Sequence, residues 1–496
     1  MRVGHRPPSR RDPAPTAAGT IPLNGAGLGY ADVVRLADGR ARAVLDPVAV
    51  ERMARCHATA LRLVAIRRLY GRTTGVGANS GVSVTPQDAA EHGMRLLRSH
   101  ACGAGRSVPA REVRAMLAVR TNQLLAGGSG INPQVAHALV AAVNSGAHPV
   151  VQEYGGVGTG DLAALAQTGL ALAGEVPWEG TPSPAPLDSN DALSLISSNA
   201  LALGRSALVL DDLRRLLRAA HAVAALCLLG VDASMEPYAE PVHHALPHPG
   251  SVRSAAHMRS LLGATQRAGP STDRVQDPFA FRCLPQVYGA ALEAADIMER
   301  VLDVELNAAA ENPLISAEDQ AAYHHGGFFA AQTALVLDHL RLAVCKVAQL
   351  SHALLGALCK PALTGLRPFL AVEGSSGVMV LGHTVADALS DLHNAAVPAT
   401  LGHVVLCQGF EELASFASLA ARQGLRTVES LRVVLACLLV AAVRALRQRG
   451  TPPAAGTPAA RAFLLADEAL DRRMEDRPLT GDVEVAVGLL DRLGEL

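Results

Sequence analysis

Residues 154–166 decide how the rest of the chain is read: Tyr154-Gly155-Gly156-Val157-Gly158-Thr159-Gly160-Asp161-Leu162-Ala163-Ala164-Leu165-Ala166. Four glycines in six positions allow backbone conformations that other residues resist, and Asp161 suits the N-cap of the apolar helix that continues to Leu172. Glycine-rich turns at helix N-termini also bind phosphates. Here the spacing is G-x-G-x-G, not the G-x-G-x-x-G of dinucleotide sites, and no strand–helix–strand alternation surrounds it. The residues alone predict a tight loop that leads into a buried helix, with a purely structural turn as the alternative to a functional site.

Composition predicts a large helical core. The chain has 496 residues, of which 49% are apolar and only 3% aromatic. A core of Ala, Leu and Val favours packed helices over sheets. We therefore predict a mainly α fold, in which a long-helix bundle stands behind a smaller mixed N-terminal portion.

Charge and cysteine pattern narrow the class of protein. The net charge of −1 argues against a nucleic-acid surface. The eight cysteines include no C-x-x-C pair, which indicates reduced thiols in a cytoplasm and not a disulfide or zinc framework. The most apolar run, 433–443, is shorter than the roughly 20 residues of a membrane span, and the N-terminus has no continuous apolar signal segment. We expect a cytoplasmic protein without membrane or nucleic-acid partners.

Three segments follow from the pattern along the chain. Residues 1–20 mix Arg, Pro, Ala and Thr without periodicity, which predicts a disordered tail. Residues 21–190 carry the glycine-rich loops and are predicted to form the N-terminal active-site portion. Residues 191–496 are dominated by long Ala/Leu helices, with wide apolar faces typical of a bundle and of subunit contacts.

Four further side chains lie in motifs that suit a site. Tyr70 begins a glycine- and threonine-rich loop and His100 lies near a helix end, although both residue types are often structural. Arg282 lies in an apolar segment, where a guanidinium needs an anion, either a substrate carboxylate or a structural partner. Glu411 is either a ligand-binding group or a solvated carboxylate at a helix start. The histidine-rich segment 241–250 lacks Cys or Asp at ligand spacing, so we expect no metal site.

These motifs together resemble the histidine and aromatic amino acid ammonia-lyase family. The corresponding loop of that family usually reads Gly-Ser-Val-Gly-Ala-Ser-Gly-Asp-Leu-Ala, and its Ala-Ser-Gly triplet cyclises and dehydrates into methylidene-imidazolone, the family's electrophile. Segment 276–286, QDPFAFRCLPQ, is similar to the family pattern Gln-Asp-Pro-Tyr-Ser-(Leu/Phe)-Arg-Cys-x-Pro-Gln. The likeness covers roughly residues 21 to 490. It implies the ammonia-lyase fold and a homotetramer whose sites draw loops from three subunits.

The resemblance also implies roles for individual residues. Tyr70 matches the family's catalytic base. Arg282 matches the residue that holds the substrate carboxylate, with Gln276 beside it. His100 and Glu411 match groups that meet the imidazole of a histidine-like substrate. These five residues are the part of an amino-acid site that this chain retains.

The positions that build or serve the electrophile depart from the family pattern. Aligned without a gap, Gly158-Thr159-Gly160 takes the place of Ala-Ser-Gly, so the serine is missing. Ser197 stands where the family has an Asn that contacts the prosthetic group, and Phe279 replaces a tyrosine of the proton-transfer network. Phe328 replaces an Asn of the pocket, whereas Phe329 is kept. We therefore expect no cofactor, although an imidazolone made from Gly158-Thr159-Gly160 is the alternative.

Asn199 lies two residues beyond the family's Asn position. Successive helix residues differ by about 100° around the axis, so a helical reading predicts that Asn199 points away from the loop.

Three functions follow from this pattern. The first is an enzyme of lyase ancestry without the imidazolone, in which Tyr70 performs acid–base chemistry on a histidine-like or aromatic amino acid, or a related carboxylate, with a more acidic C–H or a better leaving group. The second is a histidine-type ammonia-lyase or aminomutase with an imidazolone derived from Thr159. The third is a non-catalytic homologue that binds the ligand.

Overall fold

The computed structural model describes residues 19–85, 87–263 and 274–496. Most of the predicted N-terminal tail, residues 1–18, lies outside the described residues. Gly19 and Thr20, which the prediction included in that tail, open the first β-strand.

Eighteen α-helices are present in the described residues. In chain order they are α1 Tyr30–Ala37, α2 Pro47–Ile66, α3 Ala89–His100, α4 Ala110–Leu125, α5 Pro133–Ser145, α6 Leu162–Leu172, α7 Asp191–Ile196, α8 Ala200–Gly230, α9 Glu240–Ala245, α10 Pro249–Leu262, α11 Phe279–Arg282, α12 Leu284–Glu305, α13 Ala331–Leu358, α14 Pro361–Thr364, α15 Leu381–Ala396, α16 Ala417–Arg449, α17 Pro458–Ala469 and α18 Thr480–Leu493. The predicted mainly α class is confirmed.

The strands are short and occur in four separate pairs. They are β1 Gly19–Leu23, β2 Ala41–Leu45, β3 Ala104–Ser107, β4 His148–Pro149, β5 Gln152–Tyr154, β6 Trp178–Glu179, β7 Leu314–Ser316 and β8 Ala321–Tyr323. β1 and β2 pair in parallel, with Gly19 opposite Ala41; the pairs β3–β5, β4–β6 and β7–β8 are antiparallel. None of these pairs is wide enough to form a core of its own.

The core is a bundle centred on α8, which packs against α4, α12 and α16, while α16 also packs against α13 and α15. α8 and α16 bury Ala, Leu and Val on most of their circumference, as expected for helices enclosed by neighbours. By length and composition alone, the described residues include one segment able to cross a bilayer, 191–230, and its most apolar window is entirely buried inside the fold. The start of α6, the break between α7 and α8, and the start of α16 meet at one end of this bundle, where the glycine loop lies.

Candidate active site

A cavity of about 600 Å³ opens where the glycine loop meets three other loops. The 70–79 loop forms one wall, the 406–411 loop forms another, and α7 with Asn312 and Phe328 closes the apolar side. The side chains that line the cavity and carry chemistry are Tyr70, Ser99, His100, Thr159, Asn312, Cys407, Gln408 and Glu411. Four of the predicted site residues, Tyr70, His100, Thr159 and Glu411, are therefore brought together, along with the backbone of Gly160.

Tyr70 is held so that its hydroxyl faces the cavity. The backbone N–H of Gly77 donates to the phenol oxygen at 2.7 Å, and the ring lies parallel to that of Phe410 with 6.5 Å between centroids. Burial raises the pKa of Tyr70, the charges of Glu411 and Cys407 raise it further, and the Gly77 N–H opposes them by stabilising the phenolate. This donor therefore favours the charged form that a tyrosine base requires.

The glycine loop is fixed from two sides. Gly160 donates its N–H to Oδ1 of Asn199 at 3.1 Å, and Asn199 in turn donates through Nδ2 to the carbonyl of Phe328 at 2.6 Å. On the opposite side, Ser415 Oγ donates to the carbonyl of Gly158 at 2.9 Å. The loop backbone is thus hydrogen-bonded on both flanks of Thr159.

The prediction that Asn199 points away from the loop is wrong. It assumed a continuous helix, but α7 ends at Ile196 and α8 begins only at Ala200. Ser197 and Asn199 have ψ values of 67° and 36°, outside the helical range, so the 100° rule does not apply between them. Asn199 therefore makes the loop contact that the family Asn position suggested for Ser197.

Ser197 supports the cavity wall from behind. It is buried, and its Oγ accepts the backbone N–H of Asn312 at 3.1 Å. Asn312 itself lines the cavity. Within one chain, Ser197 orients a wall residue and does not form the lining.

Asp161 occupies the N-cap position of α6, as predicted, but its carboxylate caps a different helix. Oδ2 accepts the backbone N–H of Ala202 at 2.8 Å, in the first turn of α8, and Oδ1 accepts the hydroxyl of Ser418 at 3.0 Å. Burial raises the pKa of Asp161, and these donors act against that rise. One carboxylate therefore ties the loop to α8 and α16.

Glu411 is the one carboxylate among the described residues that line the cavity. Its Oε2 accepts the hydroxyl of Thr159 at 3.2 Å, and its Oε1 accepts the Cys407 thiol at 3.6 Å. His100 lies in the same lining, and its Nδ1 is within 2.8 Å of the Leu96 carbonyl, so that contact assigns the proton to Nδ1. In the neutral form of the ring, Nε2 of His100 is then the acceptor.

The structure does not place Gln276, Phe279, Arg282 or Phe329 in the lining of this cavity. Arg282 donates through Nε to the carbonyl of Asp277 at 2.9 Å, and its guanidinium lies 5.2 Å from the ring centroid of Phe279. Phe279 is 67% exposed. Within one chain, Arg282, the predicted carboxylate-binding residue, is therefore outside the lining of the cavity that holds Tyr70.

The loop does not fit the Ala-Ser-Gly triplet from which the family's imidazolone is made. Gly158 has a φ of +89°, and a Cβ added there would lie 2.0 Å from Ser415 Oγ and 2.9 Å from the backbone nitrogens of Phe416 and Ala417. An alanine at this position would therefore be destabilising, because its Cβ would overlap both side-chain and backbone atoms. The hydroxyl that would be lost on dehydration belongs to Thr159 and donates to Glu411.

A second polar cluster, which the sequence reading missed, lies beside α7. Ligand atoms of His57, Asp188 and Asp191 lie within 4.8 Å of one another. Both oxygens of Asp191 already accept backbone N–H groups, from Asn132 at 2.9 Å and from Asp188 at 3.0 Å. Burial and the neighbouring Asp188 raise the pKa of Asp191 to about 6. These contacts hold two loops together. The spacing of Asp188 and Asp191 at a helix start is the sequence pattern that could have indicated the cluster.

Comparisons with known proteins agree with this architecture. The family model for aromatic amino acid lyase matches residues 28–467. The chain is 33% identical to histidine ammonia-lyase of Anaeromyxobacter dehalogenans, over 95% of this chain and 98% of that protein. It is 34% identical to histidine ammonia-lyase of Symbiobacterium thermophilum, over 95% and 96%.

Solved structures show the same fold. The chain superposes with a TM-score of 0.87 on histidine ammonia-lyase of Trypanosoma cruzi, at 25% identity over 95% of this chain and 93% of that one. It superposes with a TM-score of 0.90 on the ergothioneine-degrading enzyme ergothionase of Treponema denticola, at 24% identity over 96% and 99%. With the family match over most of its length, this chain belongs to the aromatic amino acid lyase family.

Proposed function

We propose that this protein is a lyase that eliminates an amine from a histidine-like or aromatic amino acid, or a related carboxylate, without a methylidene-imidazolone. The observation that carries the proposal is the hydrogen bond from the Thr159 hydroxyl to Glu411, because the dehydration that makes an imidazolone would remove this hydroxyl, and the serine of the family triplet is absent. The chemistry is then assigned to side chains alone.

Tyr70 is the proposed base. It removes a proton from the β-carbon, which is adjacent to the carbon that bears the departing amine. Its hydroxyl lies in the cavity and accepts the Gly77 N–H, so the phenolate has a fixed donor. A raised pKa keeps the phenol protonated at neutral pH, which makes the phenolate a stronger base for the fraction of time that it forms. His100 and Glu411 face the same cavity and are the proposed partners of a nitrogen-bearing side chain.

Arg282 and Gln276 are proposed to reach the cavity from a neighbouring subunit. Within one chain they lie outside it, and Phe279 beside them is 67% exposed. Large apolar side chains are also exposed on α13 and on the loop before α16, including Leu335 and Leu401. Such surfaces commonly mark subunit contacts. We therefore propose a homotetramer with shared active sites and Arg282 as the carboxylate anchor.

The absence of an imidazolone restricts the substrate. An unassisted α-ammonium group is a poor leaving group, and a tyrosine base alone supplies only a factor of about 10² to 10⁴ in rate. A quaternary ammonium cannot lose a proton, so it always keeps the charged form that departs as a neutral amine, and this lowers that demand. Ergothionase, the structural neighbour with the same fold, degrades ergothioneine. We therefore propose histidine-type betaines as candidate substrates and include them in the assay below.

A histidine-type ammonia-lyase or aminomutase with an imidazolone derived from Thr159 is the second candidate. Relatives that match 95% of the chain at 33% and 34% identity are histidine ammonia-lyases. This candidate requires residues 158–160 to cyclise with Gly and Thr in place of Ala and Ser, and to lose the Thr159 hydroxyl that donates to Glu411.

Intact mass separates the two candidates. Cyclisation with dehydration removes two waters, about 36 Da, and adds near-ultraviolet absorbance. We expect the unmodified mass and no such absorbance. The same sample is then assayed for amine release and for a new conjugated product with histidine, phenylalanine, tyrosine, their trimethylammonium betaines and ergothioneine. Release only from histidine by a protein that lacks two waters would replace the proposal by the second candidate.

The oligomer is tested on the same material. We expect sedimentation to give a tetramer. We also expect an Arg282→Ala protein and a Tyr70→Phe protein, each inactive, to regain part of the activity when their subunits are mixed, because some sites then contain both native residues. A monomer with full activity would refute the shared site.

A further inference from the structure

A short loop holds the Glu411 carboxylate in the cavity. Leu406 and Glu411 exchange two backbone hydrogen bonds, N to O at 2.9 Å and O to N at 3.3 Å, so that 406–411 forms a closed turn. Within this turn, Cys407 and Gln408 have φ values of 52° and 58°. Side chains rarely adopt this conformation, which costs on the order of 1 kcal/mol per residue. The turn therefore places the Cys407 thiol and the Glu411 carboxylate next to each other at a conformational cost.

The glycine loop supplies the second contact to this carboxylate. Thr159 Oγ1 donates to Oε2 of Glu411 at 3.2 Å, while the Cys407 thiol lies 3.6 Å from Oε1. Each carboxylate oxygen thus has one donor from the protein. A carboxylate oxygen accepts more than one hydrogen bond, so each retains a lone pair for a substrate.

Thr159 is itself held by the backbone on both sides. Ser415 Oγ donates to the carbonyl of Gly158, and the N–H of Gly160 donates to Asn199. The hydroxyl is therefore carried on a rigid support, and its direction toward Glu411 is set by the loop.

We propose that Thr159 is a positioning residue, whose hydroxyl, together with the Cys407 thiol, fixes the Glu411 carboxylate toward a nitrogen-bearing group of the substrate. This inference rests on the proposed function of the cavity. It assigns to Thr159 the work of a hydrogen-bond donor, where the family's serine is consumed in making the electrophile.

Two substitutions at one position separate this role from a structural one. Thr159→Ser keeps the hydroxyl and Thr159→Val keeps the shape. On a substrate that is turned over, we expect Thr159→Ser to stay within about threefold of the parent in kcat/KM, and Thr159→Val to lose about 10- to 100-fold. Because the carboxylate is then no longer held toward the substrate, the loss in Thr159→Val should appear mainly in KM, with kcat less changed. Two variants with equal kcat/KM would overturn the proposal.

A second measurement needs no substrate. The Cys407 side chain is exposed to reagents. The pKa of its thiol is nevertheless raised by partial desolvation, by the charge of Glu411 and by their hydrogen bond. We expect iodoacetamide to alkylate Cys407 about 3- to 10-fold faster in Glu411→Gln, because the thiolate is then less disfavoured. Peptide mass mapping follows Cys407 separately from Cys102, the other exposed cysteine, whose rate is the internal control.

The alkylation series decides the proposal even if no compound is turned over. If Thr159 fixes Glu411 beside Cys407, Thr159→Val should raise the Cys407 rate toward that of Glu411→Gln, whereas Thr159→Ser should match the parent. A parent rate in Thr159→Val, or a parent rate in Glu411→Gln, would overturn the proposal. A mass lower by two waters in the parent protein would instead overturn the proposed function, so the two failures are distinguishable.

Discussion

Replacing Gly158 by alanine, the residue that the family has here, tests the close packing around this position. Two contributions to the loss of stability are expected. An alanine at a φ of +89° costs roughly 1–2 kcal/mol because this backbone conformation is unfavourable with a Cβ. The overlap at 2.0 Å with Ser415 Oγ and at 2.9 Å with two backbone nitrogens adds roughly 1–3 kcal/mol. We therefore expect Gly158→Ala to lower the free energy of unfolding by about 2–5 kcal/mol.

Gly174 provides the matched control. Its φ is +80°, and a Cβ there would meet nothing within 4 Å. Gly174→Ala should therefore lose only the backbone contribution, about 1–2 kcal/mol. The assay is urea unfolding followed by circular dichroism, at one protein concentration because the proposed subunit association would contribute to stability.

A double variant identifies the cause of the overlap. Ser415→Ala removes the Oγ atom but also the hydrogen bond to the Gly158 carbonyl. We expect the loss in Gly158→Ala/Ser415→Ala to be smaller than the sum of the two single losses by about 1 kcal/mol or more. Equal losses in Gly158→Ala and Gly174→Ala, or strict additivity in the double variant, would refute the steric argument.

Three further outcomes are expected. Asn199→Ala should lower the free energy of unfolding by about 1–3 kcal/mol, measured by the same urea assay, because the buried N–H of Gly160 loses its acceptor; Asn199→Asp, which keeps an acceptor, should lose less. The carboxyl of Asp191 has a pKa of about 6 in the fold against an ordinary 3.8, so the fold is penalised only when this group is deprotonated. This penalty on the free energy of unfolding is absent below pH 3.8 and reaches about 3 kcal/mol above pH 6. Asp191→Asn should therefore reduce the fall in stability between pH 4 and 6. Glu411→Gln removes a charge that raises the pKa of Tyr70, so the alkaline rise in activity should move to lower pH; an unmoved rise would exclude Tyr70 as the group that titrates.

The fold was predictable because its signals are redundant along the chain. Several motifs at family spacing, from residue 70 to residue 412, each indicated the same architecture, and the Ala/Leu composition independently favoured packed helices. Four predicted site residues were also identified correctly as members of one cavity. Each belongs to a short motif whose local conformation is set by its own glycines or by a helix end.

What the sequence could not give depends on backbone geometry and on other subunits. The position of Asn199 was misjudged because a three-residue break between α7 and α8 is invisible in an apolar run. The contact between Thr159 and Glu411 joins positions 252 residues apart, which no local pattern indicates. Arg282 and Gln276 lie outside the cavity of their own chain, and a single sequence does not state which subunit a loop serves.

The Ser415 hydroxyl beside Gly158 also couples position 415 to the Ala-Ser-Gly triplet of the family. A variant with serine at position 159 alone would still lack the neighbouring alanine. A variant with alanine at position 158 alone would be destabilised until position 415 changed as well. Building the triplet into this chain therefore requires coordinated changes at three positions.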